Sequence, residues 1–202
     1  MNYRDCQSYM EFQRHTGPVN TQGWLTHDES EILFQIIKEM KSGERFVEIG
    51  LYSGAQLALV GLVAPEVEVW GIDDWSNDTE MQIHGRRLED CCRHNLDTAG
   101  HWVAERIHII SEKSQDVGPT WDKPINVLVI DGDHNLEPAY LDMHHFCRWV
   151  VPGGWACLDD MNEGSQVRDA YARWIDKEPQ GRWEIVHRDR YPNKMWVLRR
   201  SA

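Results

Sequence analysis

Residues 125–160 read INVLVIDGDHNLEPAYLDMHHFCRWVVPGGWACLDD, and the placement of their acids sets the architecture expected for the rest. Val127-Leu128-Val129-Ile130 is an apolar, β-branched run of the kind buried on both faces of a parallel sheet. It stops at Asp131-Gly132-Asp133-His134. A helical segment follows, with Pro138 tolerable in its first turn and Tyr140, Leu141, His144, Cys147 and Val151 roughly on one face. Pro152-Gly153-Gly154 is expected to end that helix. Trp155-Ala156-Cys157-Leu158 then forms a second apolar run, which stops on Asp159-Asp160. Strand, helix, strand with a right-handed crossover makes the strands parallel and brings both exits to one sheet edge. Ligands of open α/β sheets bind at that edge.

Asp131, Asp159 and Asp160 offer hard oxygen donors, which suit Mg²⁺, Ca²⁺ or Mn²⁺ rather than zinc or copper. A lone acid at a strand end is ordinarily just solvated. Three that converge repel one another unless a cation sits among them, which favours a metal site.

Outward from this stretch, Arg45–Ile49 reads as the first strand and runs into Glu48-Ile49-Gly50-Leu51-Tyr52-Ser53-Gly54, before a helix over 56–63. The glycine spacing is neither G-x-G-x-x-G nor a P-loop. Glu48 at the exit would repel a pyrophosphate but suits an amine or sulfonium. The glycines allow close backbone approach, and Ser53 adds a hydroxyl near the helix start. Val67–Ile72 forms the second strand and ends on Asp73-Asp74-Trp75, where an acid can accept hydrogen bonds from ribose hydroxyls. A helix is expected over 79–99 and a strand over 106–110, leading into the polar loop Ser111–Ser114. Residues 165–176 read as a helix, and 183–187 and 195–198 as two strands around Tyr191-Pro192-Asn193, an antiparallel closing hairpin.

Upstream, Glu29–Met40 has helical spacing, with Thr26 or Asp28 as cap. Residues 1–22 are polar and weakly periodic, broken at Gly17-Pro18; they read as an N-terminal arm or lid, or equally as a frayed tail, with 23–202 a single domain. The net charge of −12 argues against nucleic acid and anionic membranes as partners. Five cysteines without a CxxC pair fit reduced thiols rather than a disulfide framework or zinc site. With no signal-peptide core and no stretch of membrane-spanning length, the expectation is a cytoplasmic protein.

Taken together, VEIGLYSG, GIDDW and IDGDH…PGG…DD resemble the motifs of class I S-adenosylmethionine-dependent methyltransferases. The resemblance is nearest to the small Mg²⁺-dependent O-methyltransferases that act on macrolide and aminocoumarin sugars and to the cephalosporin-hydroxylase-like group. It implies an α/β, Rossmann-like fold with a mostly parallel seven-stranded sheet and a C-terminal antiparallel hairpin. It implies S-adenosyl-L-methionine and Mg²⁺ as cofactors and a small-molecule hydroxyl, of a sugar or natural product, as methyl acceptor. Glu48, Gly50, Ser53 and Gly54 would hold the methionine part and Asp73 the ribose, with Trp75 and Ser114 near the adenine. Asp131 would serve both cofactor and metal, and Asp159 and Asp160 would complete the metal site. His134, three residues after Asp131, matches the base of part of the group; Asp133 matches the acid that others use. A homo-oligomer is also implied. Two other readings of the residues remain: a metal-dependent hydrolase or hydroxylase on the same carboxylates, or a module that binds S-adenosylmethionine without catalysis.

Overall fold

The computed structural model describes residues 2–76, 86–188 and 194–202. Seven strands form one sheet: β1 (Arg45–Ile49), β2 (Glu68–Ile72), β3 (Ile107–Ile110), β4 (Ile125–Ile130), β5 (Val150–Leu158), β6 (Trp183–Arg188) and β7 (Trp196–Arg200). Their order is β3-β2-β1-β4-β5-β7-β6, parallel through β5, with β7 antiparallel to both β5 and β6. The closing pair therefore inserts β7 next to β5 and leaves β6 at the edge.

The helices are α1 (Tyr9–Thr16), α2 (His27–Lys38), α3 (Ala55–Val63), α4 (Leu88–Ala99), α5 (His101–Ala104), α6 (Ser114–Val117), α7 (Leu136–Phe146) and α8 (Gln166–Ile175). Strand alternation distributes the apolar side chains between two cores. Phe46 joins the layer of α1 to α4, whereas Val47 and Ile49 face α7 and α8. Helix α3 is buried at every position, as its uniformly apolar sequence AQLALVGLV requires. A capping box at Thr26 and Glu29 starts α2.

Two expectations change. Helix α7 ends at Phe146, and Pro152-Gly153-Gly154 lies within β5, where the pairing with β4 shifts register between Ile125 and Val127. That irregularity accommodates a proline and two glycines in a strand. The N-terminal segment contains a helix, and its Cys6, Tyr9 and Phe12 are buried in the first core, with Phe12 5.4 Å from Phe34 ring to ring. Of the helix expected over 79–99, Leu88–Ala99 is α4; residues 77–85 and the turn at Tyr191-Pro192-Asn193 lie outside the described residues.

Candidate active site

Pairing register builds the site. Ile110, Ile72, Ile49, Ile130 and Leu158 stand side by side across five strands. The next residue of each chain segment is therefore Ser111, Asp73, Gly50, Asp131 and Asp159, a row along one edge. Backbone bonds continue the ladder one step further: Asp73 N to Ile110 O, Gly50 N to Ile72 O, Asp131 N to Ile49 O and Asp159 N to Ile130 O, all within 3.1 Å. Beyond this row lies a cavity of about 820 Å³, the size of small-molecule and cofactor sites. Its wall includes Gly50, Asp73, Trp75, Ser114, Asp131, Asp133, His134, Asp159 and Asp160.

On the β1–β2 side the polar groups are held by backbone. Asp73 accepts from Leu51 N through Oδ2 (2.7 Å) and from Trp75 N through Oδ1 (2.8 Å). Burial raises its pKa, against those bonds. The Trp75 indole N–H donates to Ser111 Oγ (3.2 Å). Gly50 has φ 82°, and a Cβ there would stand 1.9 Å from the carbonyl oxygen of Asp131. Only glycine lets the β1 loop pass this close to the β4 exit.

On the β4–β5 side the acids are held by side-chain cations. His134 Nε2 lies 2.8 Å from Asp160 Oδ2 and 3.6 Å from Asp131 Oδ1. Asp131 and Asp160 together hold the imidazole protonated, its pKa raised to about 10. Lys194 Nζ pairs with Asp160 Oδ1 and lies 3.6 Å from Asp159 Oδ2. Burial works to raise the pKa of Asp160, but His134 and Lys194 outweigh it and bring it to about 2. Burial, then the charge of Asp131, push Asp159 up to about 7.

Ligand atoms of Asp131, His134 and Asp160 lie within 4.8 Å of one another. Asp159 stands outside that converging trio: it prolongs β5, turns Oδ2 toward Lys194, and keeps a buried Oδ1 with no hydrogen-bond partner. The tightest cluster is therefore Asp131, His134 and Asp160, with Asp159 beside Lys194. Three carboxylates at one rim, one of them with a buried unpartnered oxygen, fit a hard divalent cation.

The chain is strained around this cavity. Among the described residues, non-glycine left-handed backbone occurs at Tyr52 (φ 46°), Trp75 (φ 57°) and Asp160 (φ 55°), and all three line it. Such conformations, especially in bulky residues, persist where surrounding structure enforces them and cluster at functional sites.

Three residues expected at the cofactor are absent from the cavity wall. Glu48 points from β1 into the α1–α4 layer and is 1% exposed; burial, Asp131 and Asp73 raise its pKa well above the carboxylate range. It lies behind the wall rather than in it. Ser53 accepts from Asn20 Nδ2 (3.0 Å), so its hydroxyl anchors the N-terminal segment. Gly54 faces α4: a Cβ would stand 2.5 Å from Cys92 Sγ. Asp133 lines the cavity, but its Oδ1 accepts both donors of Asn135 (2.9 and 2.7 Å).

The sequence reading missed Lys194, Gln115, Tyr52 and Trp24 as wall residues. Trp24 is 64% exposed and packs edge-on against Tyr52. Gln115 adjoins Ser114, a neighbour that should have been taken with it. Lys194 carries no local signal. Its N–H donates to Glu29 Oε1 (2.7 Å), and its carbonyl accepts from Met161 N (2.8 Å).

A mostly parallel seven-stranded sheet, with its penultimate position taken by the reversed last strand and a polar rim at the strand exits, is the Rossmann-like fold of class I methyltransferases. The chain belongs to the family described as "Methyltransferase domain", which matches residues 47–161. Among solved structures, it is similar to the O-methyltransferase TomG from Streptomyces achromogenes, involved in tomaymycin synthesis and in complex with SAM. That likeness has TM-score 0.65 at 14% identity and covers 89% of this chain and 82% of that one. The O-methyltransferase NovP gives TM-score 0.62 at 19% identity, covering 85% and 79%. At such identities the likeness shows the fold alone. The uncharacterized protein R132 of Acanthamoeba polyphaga mimivirus is 25% identical over 128 residues, 58% of this chain. The chain spans about half the length of that relative, 52%.

Proposed function

We propose that the protein is an S-adenosylmethionine-dependent O-methyltransferase that uses a divalent cation, Mg²⁺ foremost, and methylates a hydroxyl of a small molecule such as a sugar or natural product. The observation that carries this reading is the row Gly50, Asp73, Asp131 and Asp159 along one rim, with both glycine and acids facing a single cavity. Membership of a methyltransferase family supports transfer over the hydrolase or hydroxylase reading, which leaves Gly50 and Asp73 without a task. That TomG and NovP are O-methyltransferases supports oxygen as the acceptor.

In this reading Gly50 lets the donor lie against the backbone, Asp73 accepts from its ribose hydroxyls, and Trp75 and Ser114 border its base. Asp131, Asp159 and Asp160 would hold the cation. Donor and cation respectively supply an electrophilic methyl and a Lewis-acid site that lowers the pKa of a bound hydroxyl. His134 takes the hydroxyl proton on Nε2. It can do so only when Asp131 and Asp160 are otherwise engaged, because with both free the imidazole already carries its proton. Lys194 neutralises Asp159 and Asp160 while the cation is away. The net charge of −12 supports a neutral or cationic acceptor rather than a nucleic acid.

Titration calorimetry with S-adenosylmethionine, with and without Mg²⁺, followed by methyl transfer to a panel of sugar and phenol hydroxyls, tests the reading. Donor binding together with transfer that stops in EDTA is expected. No binding ends the proposal; binding with no transfer to any acceptor favours the binding module; transfer that persists in EDTA removes the cation.

A further inference from the structure

Glu29 and Lys194, 165 positions apart, meet beside the β4–β5 end of the rim. Glu29, in the first turn of α2, is 0% exposed. Its Oε2 accepts from Thr26 N (2.8 Å) and Thr26 Oγ1 (2.9 Å). Its Oε1 accepts from the main-chain N–H groups of Lys194 (2.7 Å) and Met195 (3.0 Å). The carbonyl of Lys194 accepts from Met161 N (2.8 Å), the residue after Asp160. A buried carboxylate with four donors, and a main chain tied on both sides, fix the Cα of Lys194 against the acids.

From that point the side chain reaches into the charge cluster. Nζ pairs with Asp160 Oδ1 and lies 3.6 Å from Asp159 Oδ2, so one ammonium serves both acids at the β5 exit. His134 takes the other oxygen of Asp160, Oδ2, at 2.8 Å. The lysine side chain is 28% exposed, and its four-carbon stem can withdraw into the cavity it lines. A divalent cation and the ammonium cannot hold the same oxygens together, because like charges at that spacing repel. The ammonium competes as an intramolecular group, which no dilution removes.

We infer that Lys194 is a resident counter-ion that the divalent cation must displace, and that Glu29 is a positioning residue acting on cation affinity only through Lys194. Without the cation, the ammonium holds the acids in place; with it, the acids turn to the cation and the ammonium faces the cavity. The fold so trades cation affinity for an ordered set of acids. The inference rests on the divalent-cation reading above.

Mn²⁺ binding to the full chain, read by electron paramagnetic resonance, tests it. Lys194→Met should tighten Mn²⁺ by at least about 10-fold, the scale of removing a unit charge beside a partly buried site. Lys194→Arg keeps the charge and should stay within about 3-fold of wild type. Glu29→Gln sets an amide NH₂ against N–H donors; it should tighten Mn²⁺ in the wild-type background and change nothing in Lys194→Met. A merely structural defect would weaken binding instead. If Glu29→Gln fails to fold, Glu29→Asp, too short to reach both Thr26 and Lys194, should show the same dependence. Displacement has its own readout. Reductive methylation with formaldehyde, followed by peptide mass spectrometry against the exposed Lys41, should label Lys194 several-fold faster in saturating Mg²⁺ than in EDTA. Equal Mn²⁺ affinity in wild type and Lys194→Met, or labelling of Lys194 that Mg²⁺ leaves unchanged, overturns the inference while the cation reading stands. Tightening by Glu29→Gln that persists in Lys194→Met overturns the role of Glu29. Absence of Mn²⁺ binding in every variant sinks the cation reading and the inference with it.

Discussion

The two ends of the strand-exit row are built on different principles. At the β1–β2 end, Asp73 is fixed by main-chain amides of Leu51 and Trp75, and Gly50 is fixed by contact with the Asp131 carbonyl. At the β4–β5 end, Asp131, Asp159 and Asp160 are balanced by His134 and Lys194, side chains that can move away. Main-chain partners cannot leave without unfolding the loop, so the first end is a preformed mould. The second is a charge cluster whose balance would change on entry of the proposed cation. The contrast predicts that binding of the donor and catalysis are separable by mutation.

The sharpest cut falls at Asp160. Asp160→Asn should lower metal-dependent methyl transfer by about 1000-fold or more while donor affinity stays within about 3-fold, since it removes charge only from the catalytic end. Parallel loss of donor binding in calorimetry would erase the distinction between the ends. His134→Ala should reduce turnover by about 100-fold, the usual scale for a general base, again sparing donor affinity. Unchanged kcat would take His134 out of the proton transfer. At the other end, Asp73→Asn should weaken donor binding by about 10-fold, the scale of a hydrogen bond to a charged group, without altering the affinity for Mn²⁺ read by electron paramagnetic resonance.

The smallest effect is on stability. The folded-state pKa of His134 is raised from 6.5 to about 10, so its ion pairs stabilise fully below pH 6.5 and that contribution fades as pH rises through about 10. In EDTA, the wild-type Tm should fall across this window by a few degrees more than that of His134→Gln. Saturating Mg²⁺ should shrink the difference, because the carboxylates then face the cation. Identical profiles with and without His134 would show that the pair contributes nothing in solution.

Where the chain could be read locally, it was. Apolar runs ending on acids marked β1, β2, β4 and β5, and parallel pairing carried those acids to one rim with no further information. A glycine-rich turn looks alike whether it approaches a ligand or a helix; here Gly54 approaches Cys92 of α4 and Ser53 meets Asn20. Glu48, a strand residue one step before the exit, points into a layer and not out of the edge. The N-terminal segment looked detachable because its few apolar residues are diluted by polar ones. Cys6, Tyr9 and Phe12 are nonetheless buried, and Asn20 and Asn95 exchange hydrogen bonds of 2.8 and 2.7 Å across 75 positions.

The amino-acid order alone thus determined the sheet, the rim and the presence of carboxylates on it, because strand ends and helix caps are short-range events that hydrophobic period and turn residues announce. Tertiary structure decided which groups answer those carboxylates. Lys194 reaches Asp160 because the Glu29 carboxylate holds its main chain from 165 positions away, and Gln115 at the cavity wall is tied to Asp142 on another helix. Hydrogen bonds between distant segments follow no period and need no particular neighbour in sequence, so they become visible only once the segments are packed.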